Sequence, residues 1–519
     1  MDLPFLVATL TRRGLLRPGP PGRVLAQLAA LRNWGYSLAG ELRQAAVRDP
    51  DRVALIDERR GEISYRELLD RSQRLARALH GALGVEAGDR IGVLGRNHAG
   101  TVEAMVAGAL LGADPVLVNT GLSGPQLDTV AQEQGLRVLL HDDEFAALAV
   151  NLPAGVHRVD ERRHAELVAG TPPGDLAPPD RDGRTIVLTS GTTGAPKGAR
   201  RRTPSGFGPL AAIIDRIPLH ARERMMIVAP VFHTWGYAAL QVAFALRATV
   251  VLRRRFEPAA TLAAIERHRC TALFAVPVML QRLLEVPPPG RTPLRVVAVS
   301  GSALAGGLAT RFMDAYGDVL YNLYGSTEVS WASIATPADL RRAPNTAGRA
   351  PHGTRLRILD PAGRPVPAGQ VGQIFVGNEM LFDGYTSGAA RPTRDGLLGT
   401  GDLGHLDTDG LLFVGGRADD MIVSGGENVF PADVEDLLAG LPQVREVAVI
   451  GVPDDEYGQR LAAYLVLHPG ERLDPDDVRA YVRHYRARFC VPRDVAFLTS
   501  LPRNATGKVL ARELRRYAG

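Results

Sequence analysis

One run of ten residues constrains this chain more than any other: Thr189-Ser190-Gly191-Thr192-Thr193-Gly194-Ala195-Pro196-Lys197-Gly198. Just before it, Thr185-Ile186-Val187-Leu188 gathers β-branched and aliphatic side chains, which predicts a short buried strand. Three glycines then let the backbone bend and approach a ligand closely. Four hydroxyls (Thr189, Ser190, Thr192, Thr193) offer donors, and Lys197 adds a compact cation. Such a loop suits a polyphosphate; the plainer alternative is a solvated turn.

Lysine usage favours the phosphate loop. Of 61 basic residues only Lys197 and Lys508 are lysine, and both lie in glycine-bearing hydroxyl loops. A chain that uses arginine everywhere else places an ammonium, a rotatable point charge, where a planar fork would not serve. A Walker loop does not fit, because Ala195-Pro196 separates Gly194 from Lys197 and glycine follows the lysine. Nor does a dinucleotide fingerprint: residues 301–307 come nearest and lack the spacing.

A chain of 519 residues exceeds what one core organises, so two or more domains are expected. The net charge of +5 is mild for this length, and the arginine runs 200–202 and 253–255 lack interleaved aromatics, which argues against nucleic acid. Both runs read as solvated strand or loop ends, the first near enough to Lys197 to help attract an anion. Two cysteines, Cys270 and Cys490, show no pairing pattern and fit a reducing compartment. No apolar run reaches membrane-spanning length. Asp2 before and Arg12-Arg13 after the apolar opening reverse the charge order of a signal peptide, so a cytoplasmic protein is expected.

Residues 1–36 read as an irregular extension, broken by Pro18-Gly19-Pro20-Pro21-Gly22. It either packs on the main body or rests a weakly amphipathic face on a membrane surface. Residues 37–416 alternate helical spacing, as over 65–83, with strand-like runs at 90–94, 115–118 and 138–140, then at 226–229, 249–252, 271–275, 296–299 and 319–323. That rhythm predicts mostly parallel sheets covered on both faces, whose ligands collect at the carboxyl ends of strands. After Pro344, short strands and tight turns predict a small β-rich region. Residues 417–420 read as a hinge, and 421–519, with helices expected at 431–438 and 475–488, as a small terminal domain.

Other polar loops follow strands. Pro230-Val231-Phe232-His233-Thr234-Trp235-Gly236 sets a histidine beside aromatics, where it either lines an apolar cleft or packs in a core. Asn322-Leu323-Tyr324-Gly325-Ser326-Thr327-Glu328 offers an aromatic face for a base, hydroxyls for phosphate and a carboxylate for Mg²⁺. Thr400-Gly401-Asp402 offers one carboxylate for ribose hydroxyls, and Arg417 beside Asp419-Asp420 is either functional or a surface ion pair. Ser424-Gly425-Gly426-Glu427-Asn428 is a further close-approach loop, and Pro502-Arg503-Asn504-Ala505-Thr506-Gly507-Lys508 carries the second lysine.

Taken in order, TSGTTGAPKG, PVFHTWG, NLYGSTE, TGD, GRADDMI, SGGEN and PRNATGK resemble the adenylate-forming superfamily of acyl-CoA synthetases, adenylation domains and luciferases. The resemblance covers nearly the whole chain from about Leu38. It implies an α/β fold: a large N-terminal body of two α/β subdomains plus a small β-barrel, then a small mobile α+β C-terminal domain that rotates about Asp419. It also implies a reaction in which a carboxylate attacks the α-phosphate of ATP, giving acyl-AMP and pyrophosphate, before a thiol takes the acyl group. By resemblance, Thr189, Ser190, Gly191, Thr192, Thr193, Gly194 and Lys197 hold the phosphates, while Thr327 and Glu328 serve the α-phosphate and Mg²⁺. Gly301, Ser302, Ala303, Tyr324 and Gly325 flank adenine, and Asp402 and Arg417 bind the ribose. His233 sits beside the acyl carboxylate, and Lys508 bridges it to the α-phosphate. Ser424, Gly425, Gly426 and Glu427 meet CoA; Trp235, Gly236 and Val276 line the acyl pocket.

One departure matters. Val423 stands where many relatives carry lysine, which removes a charge contact associated with the thioester step. The apolar residues around 232–240 and 276–279 favour a fatty acid over an amino acid, since no acid to pair an amine stands among them. The expected function is a fatty-acid CoA ligase using ATP, Mg²⁺ and CoA. The alternatives are an acyl-AMP ligase loading a carrier protein, and a luciferase-like or non-turnover nucleotide-binding relative. The compact run from Glu328 to Asp402 leaves little room for the insertion that carrier-protein ligases usually have. Peripheral contact with the inner face of a membrane and a homodimer are both compatible with this expectation.

Overall fold

Aliphatic runs such as Val296–Val299 and Thr249–Leu252 are buried along their whole length, as strands covered on both faces must be. In the computed structural model, which describes residues 2–189, 196–287, 292–424, 427–454 and 457–517, they build two sheets. The first has the order His157–Val159, Leu136–His141, Arg90–Leu94, Asp114–Leu117, Ile186–Thr189, Lys197–Arg200, parallel except for the last pair. The second runs Ser333–Ala335, Leu320–Tyr324, Val296–Val299, Ala272–Ala275, Arg224–Ile227, Thr249–Leu252, Val53–Asp57, Gly61–Ser64, antiparallel only at its two edges. The early strand Val53–Asp57 pairs with Thr249–Leu252, so the two α/β units are interleaved along the chain.

Buried polar contacts lock these sheets together where their strands end. Asn97, just past Arg90–Leu94, donates to the carbonyls of Ile227 (3.2 Å) and Ala229 (2.9 Å) and accepts from the Val231 amide (2.9 Å). Leaving such a group unpaired costs about 1–3 kcal/mol, so Asn97 fixes the 230–236 loop against the first sheet. The run 253–255 is solvated only at Arg255, which pairs with Glu144; Arg253 pairs with Glu58 and Arg254 with Glu161 and Asp142. These acids come from elements of both α/β units, so the three arginines tie the units together.

The β-rich region is an antiparallel sheet of Arg355–Leu359, Gly372–Gly377, Leu397–Leu406 and Thr393–Arg394, with Leu412–Arg417 on the far side of the long strand. Its register sets Asp402 opposite Arg417. Residues Ala418–Asp420 form one tight turn with an exposed Asp419, which Arg417 approaches only to 3.8 Å. Beyond it Glu427–Val429, Ile422–Ser424, Gly458–Leu467 and Val444–Asp454 form an antiparallel sheet with Asp494–Phe497 in parallel. This sheet shares a core with the helices Pro431–Ala439 and Pro475–Tyr485. The second helix stops three residues short of expectation, and Arg488–Cys490 forms a separate turn.

The N-terminal segment corrects an expectation. Instead of an irregular arm, it holds two helices, Leu3–Arg12 and Pro21–Trp34, each with proline in its first turn, where the missing amide costs nothing. Leu10, Leu31 and Trp34 are buried, and the Arg13 guanidinium donates to the Ile214 carbonyl at 2.8 Å. Leu3, Val7, Leu16, Leu25 and Leu28 stay exposed. Among the described residues no helix is long and apolar enough to cross a membrane, and Cys270 and Cys490 are free thiols.

Candidate active site

The carboxyl ends of both large sheets, the Asp402–Arg417 strand pair and the C-terminal unit open onto one cavity of about 1820 Å³. The first sheet brings Thr189 and Lys197, whose strands pair so that the Thr189 hydroxyl donates to the Lys197 carbonyl at 3.1 Å. Lys197 Nζ lies 6.0 Å from the centre of the Tyr385 ring. Ser190, Gly191, Thr192, Thr193 and Gly194 lie outside the described residues, as do Gly425 and Gly426.

The second sheet brings two stations together. His233 caps the helix Thr234–Ala245, its carbonyl accepting from the Tyr237 amide at 2.9 Å. Burial, then the charges of Lys508 and Arg201, push the His233 pKa down to about 4, so its imidazole is neutral at neutral pH. The Thr234 and Thr327 hydroxyls are 2.9 Å apart, tying the histidine loop to the loop that follows Leu320–Tyr324. In that loop Glu328 is 5% exposed. The Tyr385 hydroxyl donates to its carboxylate at 2.5 Å and Arg391 reaches it at 3.3 Å. Burial alone would raise the Glu328 pKa; the Tyr385 bond and the Arg391 charge outweigh it and hold it below the usual carboxylate value. Tyr324 donates to Asp402 at 2.6 Å, and burial then the nearby Asp402 charge keep the phenol protonated well beyond its usual range.

The C-terminal unit delivers Lys508 on a turn knotted by one side chain. Asn504 Oδ1 accepts from the Thr506 amide (3.0 Å), the Thr506 hydroxyl (2.7 Å) and the Lys508 amide (2.9 Å). Gly507 sits at φ +84°, and a Cβ there would come within 2.8 Å of Val278, so the turn is seated against the N-terminal body. Lys508 opens into the cavity, where burial and the Arg417 charge lower its pKa and Asp402 and Glu328 oppose them.

A family model described as AMP-binding enzyme matches residues 42–386, and one described as AMP-binding enzyme C-terminal domain matches residues 433–508. The chain belongs to the AMP-binding enzyme family. This AMP-binding enzyme is 35% identical over 466 residues to a feruloyl-CoA synthase from an Amycolatopsis species, covering 88% of this chain and 94% of that protein. It is 31% identical over 495 residues to the fatty acid–acyl-carrier-protein ligase ScoC of Streptomyces coeruleorubidus, covering 91% and 94%. Among solved structures, the anthranilate CoA ligase AuaEII in complex with anthranoyl-AMP matches with a TM-score of 0.85 at 26% identity, over 93% of this chain and 97% of that one. The large α/β body with a small C-terminal domain is therefore the fold of this AMP-binding enzyme, and its class is that of an AMP-forming ligase.

Of the residues singled out in the sequence, Thr189, Lys197, His233, Trp235, Gly301, Ser302, Ala303, Tyr324, Gly325, Thr327, Glu328, Asp402, Arg417 and Lys508 line the cavity of this AMP-binding enzyme. Gly236 and Val276 do not. A Cβ on Gly236 would lie 2.2 Å from the Pro230 carbonyl, so glycine there lets the helix begin tight against its own loop. Val276 packs behind the wall, 3.6 Å from where a Gly301 Cβ would stand. Ser424 and Glu427 lie off this cavity on the C-terminal unit. Sequence reasoning passed over Tyr385 and Arg391, which no local pattern marks, and Asn504, whose place in a turn before glycine was a usable signal. It also missed Tyr36 and Glu41, which line the cavity, and misjudged Arg201, which is not solvated but buried in the cavity wall at 7% exposure.

Proposed function

We propose that this enzyme is an ATP-dependent acyl-CoA ligase, forming acyl-AMP and pyrophosphate and then a carbon–sulfur bond to CoA. The observation that supports it is the entry of Lys508, from the C-terminal unit, into the cavity that already holds His233, Thr327, Glu328 and Asp402. Bringing a carboxylate to a phosphate sets two anions together, so catalysis comes from positioning and from cations that neutralise developing charge. Lys508 bridges both anions; neutral His233 adds no competing charge while it orients the acid. Lys197 with the residues 189–194 holds the β- and γ-phosphates, Gly301, Ser302, Ala303, Tyr324 and Gly325 the base, and Asp402 and Arg417 the ribose. Arg417 keeps a buried Nε without a partner among the described residues, which fits a ligand oxygen. Glu328, ionised and buried, fits Mg²⁺ arriving on the triphosphate, an ion that takes one or two carboxylates beside phosphate oxygens.

For the second step the small domain turns at residues 417–420, carrying Lys508 away and Ser424, Gly425, Gly426 and Glu427 toward CoA. The acid has an apolar body that meets Phe207, Leu210, Trp235, Ala238 and Val242, with a fatty acid as the first reading. An aromatic acid is the second, favoured by the Tyr36–Phe207 and Trp235–Phe274 ring contacts at the wall. Acyl transfer to a carrier protein is the rival acceptor, favoured by Val423 and by the likeness to ScoC. Exposed Leu3, Val7, Leu25 and Leu28 would suit contact with a membrane surface, checked by co-sedimentation with vesicles. A panel of fatty and aromatic acids assayed for AMP release and products, with and without CoA, tests the proposal. Acyl-CoA is expected; acyl-AMP that accumulates while CoA goes unused would reject it.

A further inference from the structure

We propose that Arg201 recognises a second anionic group on the acid substrate, so that the preferred acid is bifunctional, carrying a carboxylate besides the one that reacts. This rests on the acyl-CoA ligase reading and narrows its substrate class.

Pairing of the Ile186–Thr189 and Lys197–Arg200 strands continues one residue further, the Arg201 amide donating to the Thr185 carbonyl at 2.9 Å. Successive side chains of such a strand face opposite ways. Arg202 turns to Asp383 at 2.9 Å. Arg201 instead is buried in the cavity wall, its Nη1 sealed from solvent with no hydrogen-bond partner and no acid paired with it among the described residues. A guanidinium cannot shed its charge, and burying it without a counter-charge is costly. The other buried arginines here have partners: Arg247 pairs with Asp49 at 3.1 Å, Arg13 donates to the Ile214 carbonyl at 2.8 Å and Arg48 to the Arg17 carbonyl at 3.0 Å. Arg201 is built the same way with its partner left out.

Position decides which anion completes it. Lys197 lies opposite Thr189, whereas Arg201 lies opposite Thr185. Four residues of strand set the two backbone positions about 13 Å apart, so the phosphates gather at one end of the hairpin and Arg201 stands at the other. At its end the Thr185 hydroxyl meets the Tyr237 hydroxyl at 2.8 Å. Tyr237 belongs to the helix whose Trp235, Ala238 and Val242 form the acyl wall. Arg201 lines the same cavity as Trp235, Ala238 and Val242, and its charge reaches both His233 and Tyr237. The reacting carboxylate has Lys508 and His233. A second acidic group is what Arg201 is placed to meet.

Arg201→Met, which keeps the length and removes the charge, and Arg201→Lys test this. AMP release is measured with ATP, Mg²⁺ and CoA on monocarboxylic acids and α,ω-dicarboxylic acids of equal chain length, with thermal melts to confirm folding. The wild type should prefer the dicarboxylic acids in kcat/KM. Arg201→Met should lose about 10²-fold on them while the monocarboxylic acids change little, and Arg201→Lys should fall between. Equal losses on both acid classes would overturn the proposal and mark Arg201 as structural or as a partner of the reacting carboxylate. A wild-type preference for monocarboxylic acids would also overturn it, even if neither variant folds. Turnover of monocarboxylic acids alone defeats only the role of Arg201, whereas no AMP from any acid defeats the ligase reading as well.

Discussion

Glu41 shows how one side chain at the cavity wall couples the site to stability. Burial raises its pKa to about 8 from an ordinary 4.5, against the hydrogen bond from Gln44 and the charge of Arg247. Between those two values the folded chain keeps a proton that the unfolded chain has lost. Stability contributed by the protonated form therefore falls as pH rises from 4.5 to 8. Glu41→Gln removes this dependence, and its melting temperature should exceed that of the wild type by about 2 °C or more at pH 8 while the two nearly coincide at pH 4.5. A constant gap across that range would count against a protonated Glu41. No pattern around Glu41 in the sequence marks it, because only the packing of its helix, Leu38–Arg48, against the Thr234–Ala245 helix places it at the cavity. His233, Glu328, Asp402 and Lys508 were legible because each stands in a motif with chemistry of its own, although Asp402 lies inside the strand Leu397–Leu406 and Lys508 on a turn. Arg201 was misread because it stands in a run of three arginines, and alternation along a strand buries the middle one only once the strand is known.

At the scale of elements, the turn 503–508 is held by Asn504, which bonds three groups of its own turn. Arg503 reinforces it by pairing with Glu446 at 2.7 Å. Asn504→Ala should leave the melting temperature nearly unchanged, because the turn lies outside the core of the small domain, yet slow ATP–pyrophosphate exchange by about 10-fold by loosening Lys508. A normal exchange rate would show that the lysine finds its place without this turn. Helices and strands were largely readable from periodicity; the helical spacing of 65–83 matches Tyr65–Leu83, capped by Ser64 and closed by Gly84 in the left-handed region. The N-terminal helices were not readable, because glycines and prolines between them mimic an irregular linker while proline in a first turn in fact starts a helix.

For the whole molecule, the order of strands was the hidden part. Periodicity gives each strand but not its partner, and Val53–Asp57, with Gly61–Ser64 beside it, crosses to a sheet whose other members lie between Arg224 and Ala335. The division into a body and a terminal unit was legible from texture. Its use in the reaction is a proposal that a substitution at the junction tests. Asp419→Pro, which stiffens the turn at Ala418–Asp420, should impair thioester formation more than adenylation, and equal losses would argue against rotation there.

The central claim is that Lys508, carried on the small domain, serves the first half-reaction and not the second. The most direct measurement is ATP–pyrophosphate exchange by Lys508→Ala, set beside its conversion of supplied acyl-adenylate and CoA to thioester. Exchange should fall by about 10²- to 10⁴-fold while thioester formation from the adenylate persists. Undiminished exchange, or an equal loss in both reactions, would contradict the account.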